Sequence, residues 1–238
     1  MAFHRKAAPL LALKPDLAII SECATPSRLA DAGFAGASEI LWTGDSPTKG
    51  LAVLAFGETK LCANSDHDPR LRHILPIEVS GPLRFNLLAT WAQNASGGNT
   101  RKHQLGPLRR AVSRYRRFLG EAPAVVAGDL NNNVFWDRPG WRINHAAMVD
   151  KLAALGLTSA YHDTTGEAQG AERQPTLYWR DRTKDGPTYH IDYIFRPKNL
   201  ATDGETLTVG RFEDWVGNGL SDHVPLIWDL ALPAQPKA

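Results

Sequence analysis

Cysteine is scarce. The 238 residues hold two, Cys23 and Cys62, with no CxxC, so there is neither a disulfide framework nor a thiolate metal site to read. That usage fits a reducing compartment, and a cytoplasmic location is expected. No apolar run approaches the ~18 residues of a membrane-spanning helix, so no stable membrane association is expected. The stretch from Ala7 to Leu13 is cut by Lys14, Pro15 and Asp16 without a convincing cleavage site, which leaves a signal peptide as the lesser alternative to a short helix. An excess of one charge is also lacking. Lys+Arg number 27 against 25 Asp+Glu, a formal +2, so an anionic partner has to be argued from local features. Walker loop, GxSxG elbow, HExxH and dinucleotide fingerprint are all absent, which argues against the enzyme classes built on them.

What is present suffices for a full core: 43% of residues are hydrophobic and 22% charged. A single domain spanning 1–238 is expected, since no linker-like stretch divides the chain. Leu17 to Glu22 reads as a buried strand, followed by strands at Ser38–Trp42, Leu51–Phe56, Ile74–Val79 and Leu83–Trp91. From Gln104 to Leu119 apolar residues recur at helical spacing with arginines between them, and Asn144–Leu155 reads as a second helix closed by Gly156. Between the helices lies the short strand Ala124–Gly128, and Thr176–Trp179, His190–Phe195, Glu205–Phe212 and Val224–Leu230 return to strand.

Several of these strands carry an acid at or near an end: Glu22, Asp129 in GDLN (128–131), Asp192 in IDYIF (191–195) and Asp222 in SDHVP (221–225). Strand ends in paired sheets share a rim, so these carboxylates can converge. Gathered acids repel and raise one another's pKa unless a cation neutralises them, and oxygen-only ligands select a hard one, Mg²⁺ or Mn²⁺.

In this order, over nearly the whole chain, the motifs resemble the endonuclease/exonuclease/phosphatase superfamily with its deoxyribonuclease-like fold. The resemblance implies an α+β four-layer sandwich, with two packed, mainly antiparallel β-sheets flanked by helices. It implies hydrolysis of phosphodiesters with Mg²⁺ or Mn²⁺ as cofactor and nucleic acid as the expected substrate. Phosphatase or phospholipid-headgroup chemistry, or a catalytically impaired phosphate-binding member, are the alternatives on the same fold. Carried over by position, Glu22 and Asp222 are metal residues and Asp129 orients or deprotonates the attacking water. Asn131 holds a phosphate oxygen, and His223, positioned by Asp192, contacts the scissile phosphate. Trp91 and Asn94 fall at substrate-binding positions.

Two departures stand out. The family's first strand, which carries a metal-binding Asn or Asp, has no counterpart ahead of the first helix, and the expectation is that this sequence starts at an internal Met. Trp91 stands where the family usually has His or Tyr; an indole cannot become cationic, and it either stacks on a base or is simply packed. Ser65-Asp66-His67-Asp68 repeats the Ser-Asp-His pattern but runs into polar residues, and reads as a solvated loop. The arginines of the first long helix, with Arg101 and Lys102 before it, read as a solvated face, with tracking of phosphates as the sharper alternative.

Overall fold

The computed structural model describes residue 3 and residues 6–93, 105–180, 182–200 and 204–231; Asn94, Arg101 and Lys102 lie outside the described residues. Helix α1 (Ala7–Ala12) leads into β1 (Leu17–Cys23), and α2 (Pro26–Asp31), β2 (Glu39–Ser46), β3 (Lys49–Ala55), β4 (Lys60–Ala63), β5 (Ile74–Ser80) and β6 (Phe85–Trp91) follow. After α3 (Leu105–Arg114) and α4 (Phe118–Glu121) come β7 (Ala124–Asp129), α5 (His145–Ala153), β8 (Leu157–Ser159) and α6 (Ala160–Thr165). The last third holds β9 (Leu177–Tyr178), β10 (Thr188–Tyr189), β11 (Asp192–Pro197), β12 (Glu205–Val209), α7 (Phe212–Trp215) and β13 (Leu226–Leu230).

The central sheet has six strands in the order β4-β5-β6-β7-β11-β8. Its ladders are antiparallel except β6–β7, the parallel pair that α3 and α4 connect by crossing over the sheet. A three-stranded antiparallel sheet, β1-β3-β2, packs against it. Strand β3 is buried on both faces, which is why it reads as an unbroken apolar run. Leu51 and Val53 meet Ile77, Leu87 and Val125 between the sheets, while Ala52 and Leu54 face Leu10 and Leu29 of the helices outside. On the far side of the central sheet, Leu105, Leu108 and Val112 of α3 and Met148 and Leu152 of α5 cover Leu88, Val126 and Phe195. Each such side chain contributes about 1.5–3 kcal/mol by leaving water. The result is the expected helix–sheet–sheet–helix sandwich, with the second β-layer divided into β1-β3-β2 and the pair β12–β13.

Several expectations need correction. The helix read over Gln104–Leu119 breaks after Arg114, where Tyr115 turns inward and its hydroxyl accepts the Asp68 N–H at 2.8 Å. The strand read to Phe212 stops at Val209, because the Gly210 N–H bonds Pro225 O at 2.8 Å and the chain turns into α7. The segment at Ser65 and Asp66 is an exposed turn, as expected, and the correction concerns Asp68 alone, which is buried and paired with Arg70 at 2.8 Å, whose hydrogen bonds hold its carboxyl down at about 2. Helix α6 and strand β4 carry little local signal: one is AYHDTT closed by Gly166 in the left-handed conformation, the other a short, mostly exposed edge.

Among the described residues no strand precedes α1, β1 is paired only with β3 and β13 only with β12. Between these two unpaired edges opens a cavity of about 810 Å³, lined by residues 17–22 and 224–230 and floored by Leu87, Val125, Ala127 and Ile194. Its polar end holds the strand-end acids. No described helix is long and apolar enough to cross a membrane.

At Gly128, before the β7 acid, φ is +133° and an added Cβ would lie 1.9 Å from Thr90 O of the neighbouring strand. Gly128→Ala should therefore lower unfolding stability by about 3 kcal/mol or more, read by urea denaturation; a loss below 1 kcal/mol would show that the two strands part easily there.

Candidate active site

The register of three strands builds the centre of the site. Asp129 at the end of β7 sits opposite Trp91 of β6 on one side and Asp192 of β11 on the other. The two carboxylates are thus cross-strand neighbours, a placement that is unfavourable unless something offsets the repulsion. A separate segment brings that partner. The bridge between Leu177 and His223, with the Tyr178 N–H on Asp222 O at 2.8 Å and the Val224 N–H on Thr176 O at 2.9 Å, clamps residues 222–224 beside β9. His223 Nδ1 then lies 2.9 Å from Asp192 Oδ2. One ligand atom from each of Asp129, Asp192 and His223 falls within 4.8 Å of the others.

These positions divide the protonation states. Burial, reinforced by the Asp192 charge, pushes the Asp129 carboxyl up to about 8. Burial acts the same way on Asp192, but the His223 charge and hydrogen bond outweigh it and bring Asp192 below the usual carboxylate range. Burial opposes a charged His223, yet Asp192 prevails and raises the imidazole to about 9. Near neutrality the pair is Asp192 carboxylate and His223 imidazolium, which presents Nε2 as its second donor.

Asn131 follows Asp129 at φ +47°, a left-handed conformation that Asn tolerates. Its backbone N–H donates to Asp129 Oδ1 at 2.7 Å, and its side-chain amide to Asp129 Oδ2 at 3.0 Å and Ala92 O at 2.5 Å. In this arrangement Asn131 steadies Asp129. Glu22 also has a positive φ, +58°, where the β1–β3 register shifts between Ile20 and Cys23, a bulge of the kind that re-aims a side chain.

Glu22 and Asp222 line the same cavity but stand outside the compact trio, and each faces a cation. Lys49 Nζ is 2.8 Å from Glu22 Oε1, and Arg182 is 3.5 Å from Asp222 Oδ2. Lys6 reaches into the same end, its Nζ donating to Ser221 Oγ at 3.4 Å. Half-exposed carboxylate oxygens with room for water suit Mg²⁺ or Mn²⁺. The trio, despite its spacing, suits one poorly, because an imidazolium whose Nδ1 is engaged by Asp192 is not a ligand.

Trp91 is 4% exposed, with the His73 ring 4.6 Å away, so of its two readings the structure favours packing. His73 is itself pushed down to about 4, by burial first and then by Arg72 and Lys49. The exposed aromatics lie elsewhere. Trp179 is 40% exposed and lines the cavity, with the Arg180 guanidinium 4.2 Å over its ring. Phe135, 72% exposed, and Trp136 join it around Tyr189. Sequence reasoning missed these residues and also Lys6, Lys49 and Arg182. The only local signal was the aromatic–arginine dipeptide at 179–180.

No protein-family model matches the chain, and no curated protein matches it by sequence. Solved structures do match. An AP endonuclease from Archaeoglobus fulgidus superposes with a TM-score of 0.66 at 17% identity, over 96% of this chain and 95% of that one. A 3′ phosphatase variant, NExo, from Neisseria, bound to a product DNA hairpin, gives 0.65 at 14% identity, over 97% and 96%. The endonuclease domain of TRAS1, a telomere-specific non-LTR retrotransposon, gives 0.61 at 16% identity, over 98% and 96%. The chain has the endonuclease/exonuclease/phosphatase fold that its motifs led us to expect.

The raised His223 and Asp129 values set a pH dependence. A group whose pKa rises on folding adds stability below its unfolded value and loses that contribution as pH climbs through its folded value. Asp129 and His223 act in the same direction, so melting temperature should fall between pH 6.5 and 9, and His223→Gln should flatten the fall; a wild-type melting temperature constant over that window would refute the assignment.

Proposed function

We propose that this chain is a Mg²⁺- or Mn²⁺-dependent phosphodiesterase acting on DNA or RNA, in the cytoplasm, with residues 1–238 working as one domain. The observation that carries this reading is the trio of Asp129, Asp192 and His223: a carboxyl titrating near neutrality within reach of a carboxylate-held imidazolium. A base is most effective when its pKa lies near the working pH, and Asp129 is suited to take a proton from the attacking water. Asn131 keeps Asp129 oriented through its two hydrogen bonds. The His223 imidazolium, fixed by Asp192, donates to a phosphate oxygen and offsets charge that grows in the transition state. Glu22 and Asp222 are the residues that would hold the divalent cation, which when bound supplies Lewis-acid and charge-neutralising chemistry.

The aromatic surface favours nucleic acid over a lipid headgroup or small ester. Trp179 under Arg180, with Phe135 exposed nearby, offers apolar faces on which bases stack, at about 1–3 kcal/mol per base. The likeness to a DNA-bound 3′ phosphatase keeps monoester cleavage at a nucleic-acid end as the second reading.

Cleavage of fluorescent single- and double-stranded DNA and RNA, with Mg²⁺, Mn²⁺ or chelator, tests the proposal. Metal-dependent cutting of internal or terminal diesters is expected; release of terminal phosphate alone selects the second reading, and silence on every nucleic acid defeats both. Asp129→Asn should reduce turnover at least about 10³-fold while leaving the melting temperature unchanged or higher, since it removes a buried carboxyl without opening a cavity. Retained metal-dependent activity in that variant would overturn its role. Trp179→Ala should weaken oligonucleotide binding about five- to tenfold yet leave hydrolysis of a small aryl phosphodiester intact. Equal losses on both substrates would assign Trp179 to the structure of the site.

A further inference from the structure

We propose that Lys49 binds substrate phosphate and is paired with Glu22 until a divalent cation takes that carboxylate, so that cation and substrate binding reinforce each other. The inference rests on the phosphodiesterase reading above and adds a residue and a coupling to it.

Lys49 opens β3, its side chain is about half exposed, and it lines the same cavity as Glu22, Asp129, Asn131 and His223. Among the described residues its ammonium meets Glu22 Oε1 at 2.8 Å and the Trp91 ring, whose centre is 5.4 Å away. The indole is buried between the sheets and held in register beside Asp129. Trp91 cannot carry charge, but its face holds one at the rim of the site. On the Asp192 side of Asp129, His223 provides a further positive charge on its Asp192 anchor. A phosphate between Lys49 and His223 would meet a cation on each side, with Asp129 placed for the water.

The Glu22 pairing makes this arrangement conditional. A carboxylate neutralised by an ammonium is a poor ligand until the ammonium leaves, and the flexible four-carbon stem of lysine allows it to leave without backbone movement. Once Glu22 exchanges Lys49 for the divalent cation, the ammonium becomes available to a phosphate oxygen. Linkage makes the effect reciprocal: substrate that draws Lys49 away tightens cation binding by the same factor.

The test uses the full chain in the Asp129→Asn background, which suppresses turnover. Mn²⁺ affinity is read by electron paramagnetic resonance, and binding of a fluorescein-labelled single-stranded oligonucleotide by anisotropy, with and without Mn²⁺. Lys49→Met should bind Mn²⁺ about three- to tenfold tighter, because the competing cation is gone, and bind the oligonucleotide at saturating Mn²⁺ about five- to tenfold more weakly. The parent should bind oligonucleotide more tightly with Mn²⁺ than without, a difference that Lys49→Met reduces and Lys49→Arg retains. Unchanged or weaker Mn²⁺ binding in Lys49→Met would overturn the exchange, and unchanged oligonucleotide binding would overturn the phosphate role. Failure of the parent to bind any oligonucleotide would defeat the nucleic-acid reading, while tighter Mn²⁺ binding in Lys49→Met would still support the exchange at Glu22.

Discussion

The β7–β11 register places Asp129 directly opposite Asp192, and much of the site serves to make two adjacent carboxylates, one buried and one partly buried, tolerable. One remedy is charge: the His223 imidazolium sits 2.9 Å from Asp192 and keeps that acid ionised. The other is protonation, since Asp129 is raised to about 8 and alternates between neutral and charged near physiological pH. The repulsion that would destabilise the sheet thus becomes a proton acceptor beside a proton donor, in line with the tendency of environments to push paired groups apart. His223 reaches the pair only because residues 222–224 are clamped to β9, so the site depends on a contact between chain segments about 45 residues apart.

The same logic extends to the rim. Glu22 and Asp222 are each met by a cation, Lys49 and Arg182, which is how an acid-lined cavity is balanced by the protein's own side chains. These pairs are half exposed and weak compared with a buried bridge, so they can be exchanged. An overall charge of +2 gives no hint of this local pairing, because acids and bases are sorted by position while their totals almost cancel.

The fold supports the site unevenly. The central sheet and its α3 and α5 cover are continuous, with Leu88, Leu108, Leu152 and Phe195 fully buried, and they hold Asp129 and Asp192. The second β-layer is divided, and the edges of β1 and β13 that are unpaired among the described residues flank the 810 Å³ cavity that opens onto Glu22. Asp129 and Asp192 therefore stand on the continuously packed sheet, and Glu22 on a strand that has one partner among the described residues and a bulge at Glu22 itself. Exposed edges of this kind are normally covered or charged, and here the opening lies beside Glu22, Asp129 and His223.

The sequence alone was enough to identify the acids and most of the strands that bear them. Motifs such as GDLN and SDHVP combine turn formers with a charge next to buried apolar runs, a local pattern that survives without knowing what packs where. It also marked Glu22, Asp129, Asp192, His223 and the core face of α3. Trp91 was ambiguous because an aromatic at a strand end is written the same way whether it stacks on substrate or on His73. Helix α6 escaped because AYHDTT has low intrinsic helicity and is held by its surroundings. Tertiary structure alone decided that Lys49 meets Glu22, that Arg182 meets Asp222 and that Trp179, Arg180 and Phe135 gather beside the cavity. Pairing energies depend on distance and burial, and residues 27 or 40 positions apart carry no local trace of either until the strands are in register.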